Sequence, residues 1–103
     1  MNSFENNQLI AEFLGFQSTD IGWYDAEETL SEIEKYGNTF DNYDLRFDFD
    51  WNWLMVVVEK IFAVEEFIKD DLIFKLNDSL LEANKESLYR CSAECIKNYN
   101  QTN

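Results

Sequence analysis

Asp50-Trp51-Asn52-Trp53-Leu54-Met55-Val56-Val57-Val58-Glu59-Lys60-Ile61-Phe62 is the densest run of large apolar residues in the chain, and it holds two of the three tryptophans. Whether it is helix or strand decides the fold. Trp51, Leu54, Met55, Val58, Ile61 and Phe62 recur at three- and four-residue intervals, which places them on one side of a helix. Asp50 suits the N-cap, because its carboxylate can accept from the free amides of a first turn. The β-branched run Val56-Val57-Val58 pulls the other way, toward a strand. The helical spacing persists over three turns, too long for an ordinary strand, so the pattern predicts a helix over about 51–63. Trp53, Val57 and Val64 fall off the stripe. The element is therefore apolar on more than one side and belongs inside, as core packing rather than as an aromatic binding box.

Upstream, Leu45, Phe47, Phe49 and Trp51 alternate with Arg46, Asp48, Asp50 and Asn52, the period-two pattern of a half-buried strand running into the helix. Asn38–Tyr43 reads as a turn. Asp25-Ala26-Glu27-Glu28 has capping-box character and predicts a second helix, with Leu30 and Ile33 inward and Lys35-Tyr36-Gly37 at its end. Gly22-Trp23-Tyr24 reads as a short strand. Leu9, Ile10, Phe13 and Leu14 give the stripe of a first helix, Asn6 to Phe13, which Gly15 can stop. Downstream, Phe67-Ile68 and Leu72–Leu76 flank Asp70-Asp71 as a hairpin would, and an extension of the central helix to Lys69 competes with that reading. Ser79-Leu80-Leu81-Glu82 is a capping box, predicted to open a C-terminal helix in which Leu81, Leu88, Cys91, Cys95 and Tyr99 share a face. The expected architecture is α+β, with three to four helices packed on a small antiparallel sheet or hairpin. With no proline, no Ser/Gly-rich linker and no repeat, residues 1–103 read as a single compact acidic domain.

Composition narrows the function. There are 21 acidic and 8 basic residues, giving a net charge of −13. The imbalance is lopsided: residues 1–50 carry −10 and residues 51–103 carry −3. Such a surface repels nucleic acid and anionic membranes, so neither is an expected direct partner. It attracts a basic groove and speeds association with it. The plainer explanation is that the charge keeps an aromatic-rich protein soluble. Nine Phe, five Tyr and three Trp argue against disorder. The longest apolar run is far too short for a bilayer. The N-terminal residues show no secretory pattern, and two cysteines without one suggest a reducing cytoplasm.

Chemistry is poorly supplied. There is no histidine to serve as general base or nucleophile partner. Two cysteines cannot complete a tetrahedral zinc site, and no P-loop, G-x-G-x-x-G or G-x-S-x-G spacing occurs among the three glycines. Cys91 and Cys95, one turn apart, are poorly directed for a mutual disulfide and read as buried free thiols. Asp48, Asp50, Asn52 and Glu59 have the spacing of an EF-hand calcium loop. Trp53 stands where that loop needs glycine, and 53–58 is wholly apolar, so the match is accidental. No catalytic residue, metal or cofactor is expected. The residues singled out instead are the acids Glu27, Glu28, Glu32, Glu34, Asp41 and Asp44, interleaved with Trp23, Tyr24, Tyr36, Phe40 and Tyr43. Together they could imitate phosphate spacing while the aromatics supply anchors of the kind that dominate interfaces.

Three stretches also carry a resemblance. Leu45-Arg46-Phe47 with Trp51-Asn52-Trp53-Leu54-Met55 and Val57-Val58-Glu59-Lys60-Ile61 resembles small uncharacterised proteins from phages and prophages of Bacteroidetes-type bacteria. Such proteins often begin with a stretch like Asn7–Phe16 and end with one like Ile96-Lys97-Asn98-Tyr99-Asn100-Gln101. The three matches run in the same order over about a third of the chain. Val56 stands where a proline is usual, and the region after Phe62 looks shortened. The resemblance implies no enzymatic activity. Small acidic phage proteins are frequently counter-defence factors, among them anti-CRISPR proteins, and a type VI RNA-targeting nuclease is one such target. The expectation is a non-enzymatic inhibitor in the bacterial cytoplasm that binds a host CRISPR–Cas effector through its acidic surface. A phage housekeeping or regulatory protein–protein interaction module is the alternative.

Overall fold

The computed structural model describes residues 3–27, 29–30, 39–41 and 43–102. The described chain is α+β: helices α1 (Ser3–Phe13), α2 (Trp51–Ala63), α3 (Asp70–Leu81) and α4 (Lys85–Thr102), with strands β1 (Gln17–Ser18), β2 (Gly22–Tyr24) and β3 (Thr39–Asp41). The radius of gyration is 13.1 Å, the value of about 13 Å expected for one folded unit of some 100 residues.

α2 matches the helix read from the decisive stretch. The Asp50 carboxylate accepts from the Asn52 amide at 2.9 Å and caps it. Its buried stripe, however, is Trp53, Leu54, Val57, Val58 and Ile61. Trp53 is the largest wholly buried side chain, while Trp51 is exposed. The inner face is thus turned toward the residues that the spacing had placed off the stripe.

α1 ends as glycine chemistry requires. Gly15 has φ +88°, its amide donates to the Glu12 carbonyl, and Phe16 donates back to the Ala11 carbonyl, both at 3.0 Å. The chain then enters an antiparallel sheet of order β1-β2-β3, with Trp23 opposite both Ser18 and Phe40. The strand at Gly22–Tyr24 is as read. Gly22 sits where a Cβ would come within 2.1 Å of the Phe40 carbonyl oxygen. The two backbones approach too closely there for any other residue.

Five expectations are corrected. First, residues 45–50 are not a strand. The Phe49 and Asp50 amides fold back onto the Arg46 carbonyl, at 3.2 and 2.9 Å, and the Leu45 carbonyl is taken by Asn7 Nδ2 at 3.1 Å. Leu45 and Phe47 are buried, but Phe49 turns outward, so the alternation marks a turn with two inward residues. Second, the third strand is β3, within the Asn38–Tyr43 segment read as a turn. Third, 67–76 is neither hairpin nor extension of α2. α2 stops at Ala63, a 3-10 turn covers Glu65–Phe67, and Ile68 is extended before α3 begins. Asp70 and Asp71, read as a hairpin turn, occupy the first turn of α3, where the helix dipole favours acids. Fourth, Ser79–Glu82 closes α3 instead of opening α4, and Leu81 lies in α3, exposed. Asn84 opens α4, its Oδ1 accepting from the Ser87 amide at 3.0 Å. The capping box at Asp25 also takes another form. Asp25 is buried and accepts from the Thr29 and Leu30 amides, each at 2.9 Å, in a turn. The remainder of that expected helix, 31–37, lies outside the described residues.

The helices gather on α4, which packs against α1, α2 and α3. The sheet joins them through aromatic side chains. Trp53 meets Phe40 and Phe47 edge-on, each at 5.1 Å between ring centres, and Phe16 lies 6.2 Å from both phenylalanines. Edge-to-face pairs of this kind add about 0.5–1.5 kcal/mol each beyond the area they bury.

Candidate partner-binding surface

Of the six acids singled out, Glu28, Glu32 and Glu34 lie outside the described residues. Glu27, Asp41 and Asp44 are exposed, and none is paired with a lysine or arginine among the described residues. Asp41 and Asp44 are held together at the end of β3. The Asp44 amide donates to the Asp41 carbonyl at 3.1 Å, and the Tyr43 amide donates to Asp41 Oδ1 at 2.8 Å. This Asx-type turn fixes the Asp41 carboxylate and presents Tyr43, 85% exposed, at its tip. Glu27 is not part of the group. Its carboxylate lies beside Gly15 at one end of α1, whereas Tyr43 packs at 5.3 Å on Phe4 near the other end. At 1.5 Å rise per residue the two places are roughly 16 Å apart.

Behind Tyr43 is a cavity of about 170 Å³ lined by Phe4, Asn7, Tyr43, Leu45, Asp48 and Phe49. Asn7 organises its floor. The amide nitrogen donates to the Leu45 carbonyl and, at 3.2 Å, to Asp48 Oδ1, while the amide oxygen accepts from the Tyr89 hydroxyl at 2.9 Å. One buried asparagine thus ties α1, α4 and the 45–50 turn together. Burial, and then the charge of Asp48, push the Tyr89 hydroxyl well above its ordinary 10.0, so it stays a neutral donor. Lys85 reaches from α4 to the Phe49 carbonyl at 2.7 Å and steadies the far rim. Leu45, Phe49 and Asp48 had been read as one strand, and Phe4 had not been noticed. Only Tyr43, an aromatic set between acids, signalled this place in the sequence.

Asn52 and Glu59 lie in α2, so no calcium loop spans 48–59. Among the described residues no group of three or more His, Cys, Asp or Glu is placed to hold a metal ion. Cys91 and Cys95 are free, and burial pushes the Cys95 thiol up to about 12, helped by neighbouring Cys91 and Glu94. Among the described residues no helix is long and apolar enough to cross a membrane. Neither a family model, nor a curated protein, nor a solved structure matches the chain.

Proposed function

We propose that the protein is a non-enzymatic inhibitor carried by a phage or prophage, and that it binds a host CRISPR–Cas effector through its acidic surface. The observation that carries this reading is the exposed Asp41–Asp44 turn, with two carboxylates that meet no cation among the described residues flanking an aromatic at its tip. A net charge of −13 adds long-range attraction to a basic guide- or target-binding region. The phage-like stretches described above supply the biological class. The type VI RNA-targeting nucleases, the bacterial cytoplasm and the mimicry of phosphate spacing belong to the same proposal.

The test is a pull-down of host effectors with two charge-reversed variants. One carries Lys at Asp41 and Asp44, and the other at Glu27, Glu28, Glu32 and Glu34. Binding is expected to fall at least tenfold with either set, more at low salt than at high. Undiminished binding at low salt removes the electrostatic mechanism.

A second reading has its own observation. On α3, Phe74 and Leu81 are exposed seven residues apart, and Phe67 is exposed just ahead of the helix. Such a row suits a phage housekeeping or regulatory module that docks by apolar contact. Its affinity is then nearly independent of salt.

A further inference from the structure

We infer that the cavity behind Tyr43 receives the side chain of an arginine on the partner. The inference deepens the proposed function and rests on it for the identity of the partner, though not for the chemistry of the cavity.

Size comes first. At about 170 Å³ the cavity is smaller than the roughly 300–1,000 Å³ of small-molecule sites. It fits a single side chain. The walls come next. Phe4, Tyr43 and Phe49 are 38%, 85% and 57% exposed, three large aromatics around one opening. Aromatic faces bind cations through the ring quadrupole, and a planar guanidinium stacks on them. The chain already makes such a contact elsewhere, with the Arg46 guanidinium 5.8 Å from the centre of the Trp53 ring.

The charge decides between a cation and an apolar guest. Asp48 lines the cavity and is half-buried, and among the described residues its carboxylate takes one hydrogen bond, from Asn7. That leaves acceptor capacity for a forked donor such as guanidinium. The Asp41 and Asp44 carboxylates flank Tyr43 and add negative potential at the entrance. Among the described residues no cationic side chain lines the cavity, and Lys85 at its rim is engaged with the Phe49 carbonyl. A purely apolar guest would leave Asp48 desolvated against it at a cost, whereas an arginine satisfies the carboxylate and covers the rings at once.

The full-length protein is titrated with N-acetyl-arginine amide and, separately, with the citrulline amide, which has the same shape and no charge. Binding is followed by amide chemical shifts. The expected result is saturating shifts at Asn7, Tyr43, Leu45 and Phe49, with arginine amide bound roughly tenfold more tightly than citrulline amide. Asp48→Asn and the surface change Tyr43→Ala are each expected to weaken the arginine titration severalfold, with the remaining spectrum undisturbed. Equal binding of the two amides overturns the inference, and so does either substitution leaving the arginine titration unchanged. Because the probe is a single amino acid, the result reads the cavity alone. Arginine binding by a protein that captures no effector overturns the proposed function and upholds the cavity.

Discussion

Single residues here do work that their type does not announce. Asp25 looked like a helix cap and is instead a buried clamp on two amides of a turn, Thr29 and Leu30. Asn7 lies off the apolar stripe read for α1 and holds three segments together. Both escape sequence reading because their partners lie outside the helical pattern they were read in, and for Asn7 they are distant in the chain. The burial of Cys95 was legible, since a cysteine on an apolar helix face is commonly a small hydrophobe, whereas the same reading overstates Cys91. They differ in reach: Cys95 is buried with its Sγ 3.6 Å from the Leu72 carbonyl, whereas Cys91 is half-buried. Iodoacetamide at neutral pH is therefore expected to modify Cys91 promptly and Cys95 only on unfolding, as peptide mass mapping can show. The raised Cys95 pKa has a sign. The unfolded chain releases this proton near the ordinary 9.0 and the folded chain near 12. The stabilisation is thus complete below about pH 9 and is lost as pH climbs toward 12. Tyr89, also raised, adds a loss of the same sign at still higher pH. Unfolding free energies from urea melts between pH 8 and 11 should fall by roughly 1 kcal/mol per pH unit above pH 9. Cys95→Ala should flatten the first part of that fall.

Elements were legible where one period ran unopposed. α2 and the end of α1 followed directly from spacing and from Gly15. The misread elements share a cause: short apolar runs satisfy two periods at once. Leu45, Phe47, Phe49 and Trp51 alternate, yet only the first two are buried. Leu72, Ile73, Leu76 and Leu80 fit a helix, but beside Asp70-Asp71 their first members also fit a strand. The α3–α4 junction was missed because its stop signal is an alanine. Ala83 has φ +54°, with its amide on the Leu80 carbonyl and the Asn84 amide on the Ser79 carbonyl. This is the arrangement glycine ordinarily takes at a helix end. Ala83→Gly removes the left-handed strain and is expected to stabilise the protein by about 0.5–1 kcal/mol, the strain relieved outweighing the added freedom of the unfolded chain. Thermal and urea melts check this, and a lowered midpoint would contradict the junction as described. β3 was missed for a different reason. Its pairing is decided by Gly22 and Trp23 across the sheet, and a three-residue strand carries too little pattern to show it.

At the scale of the molecule, charge and core act on different lengths. The extents are 36 × 29 × 24 Å, comparable to a screening length of about 30 Å at 0.01 M salt and far above the 8 Å or so at 0.15 M. Acids on opposite sides therefore repel one another at low salt, and raising salt should lift the melting temperature by a few degrees. The same change should weaken capture of a basic partner. Melts and pull-downs over one salt series separate the two effects by their opposite signs. The charge behind both was plain in the composition, whereas the grouping of Asp41 and Asp44 away from Glu27 was not, because it depends on where α1 lies. The position of α4 has a further consequence. Tyr89 on α4 reaches Ser3 and Asn7 at the start of α1, and α2 and α3 also rest on α4. During synthesis, then, everything made earlier lacks its supporting wall until α4 emerges from the ribosome. The contacts that α1, α2 and α3 make with α4 therefore form only once α4 has been synthesised.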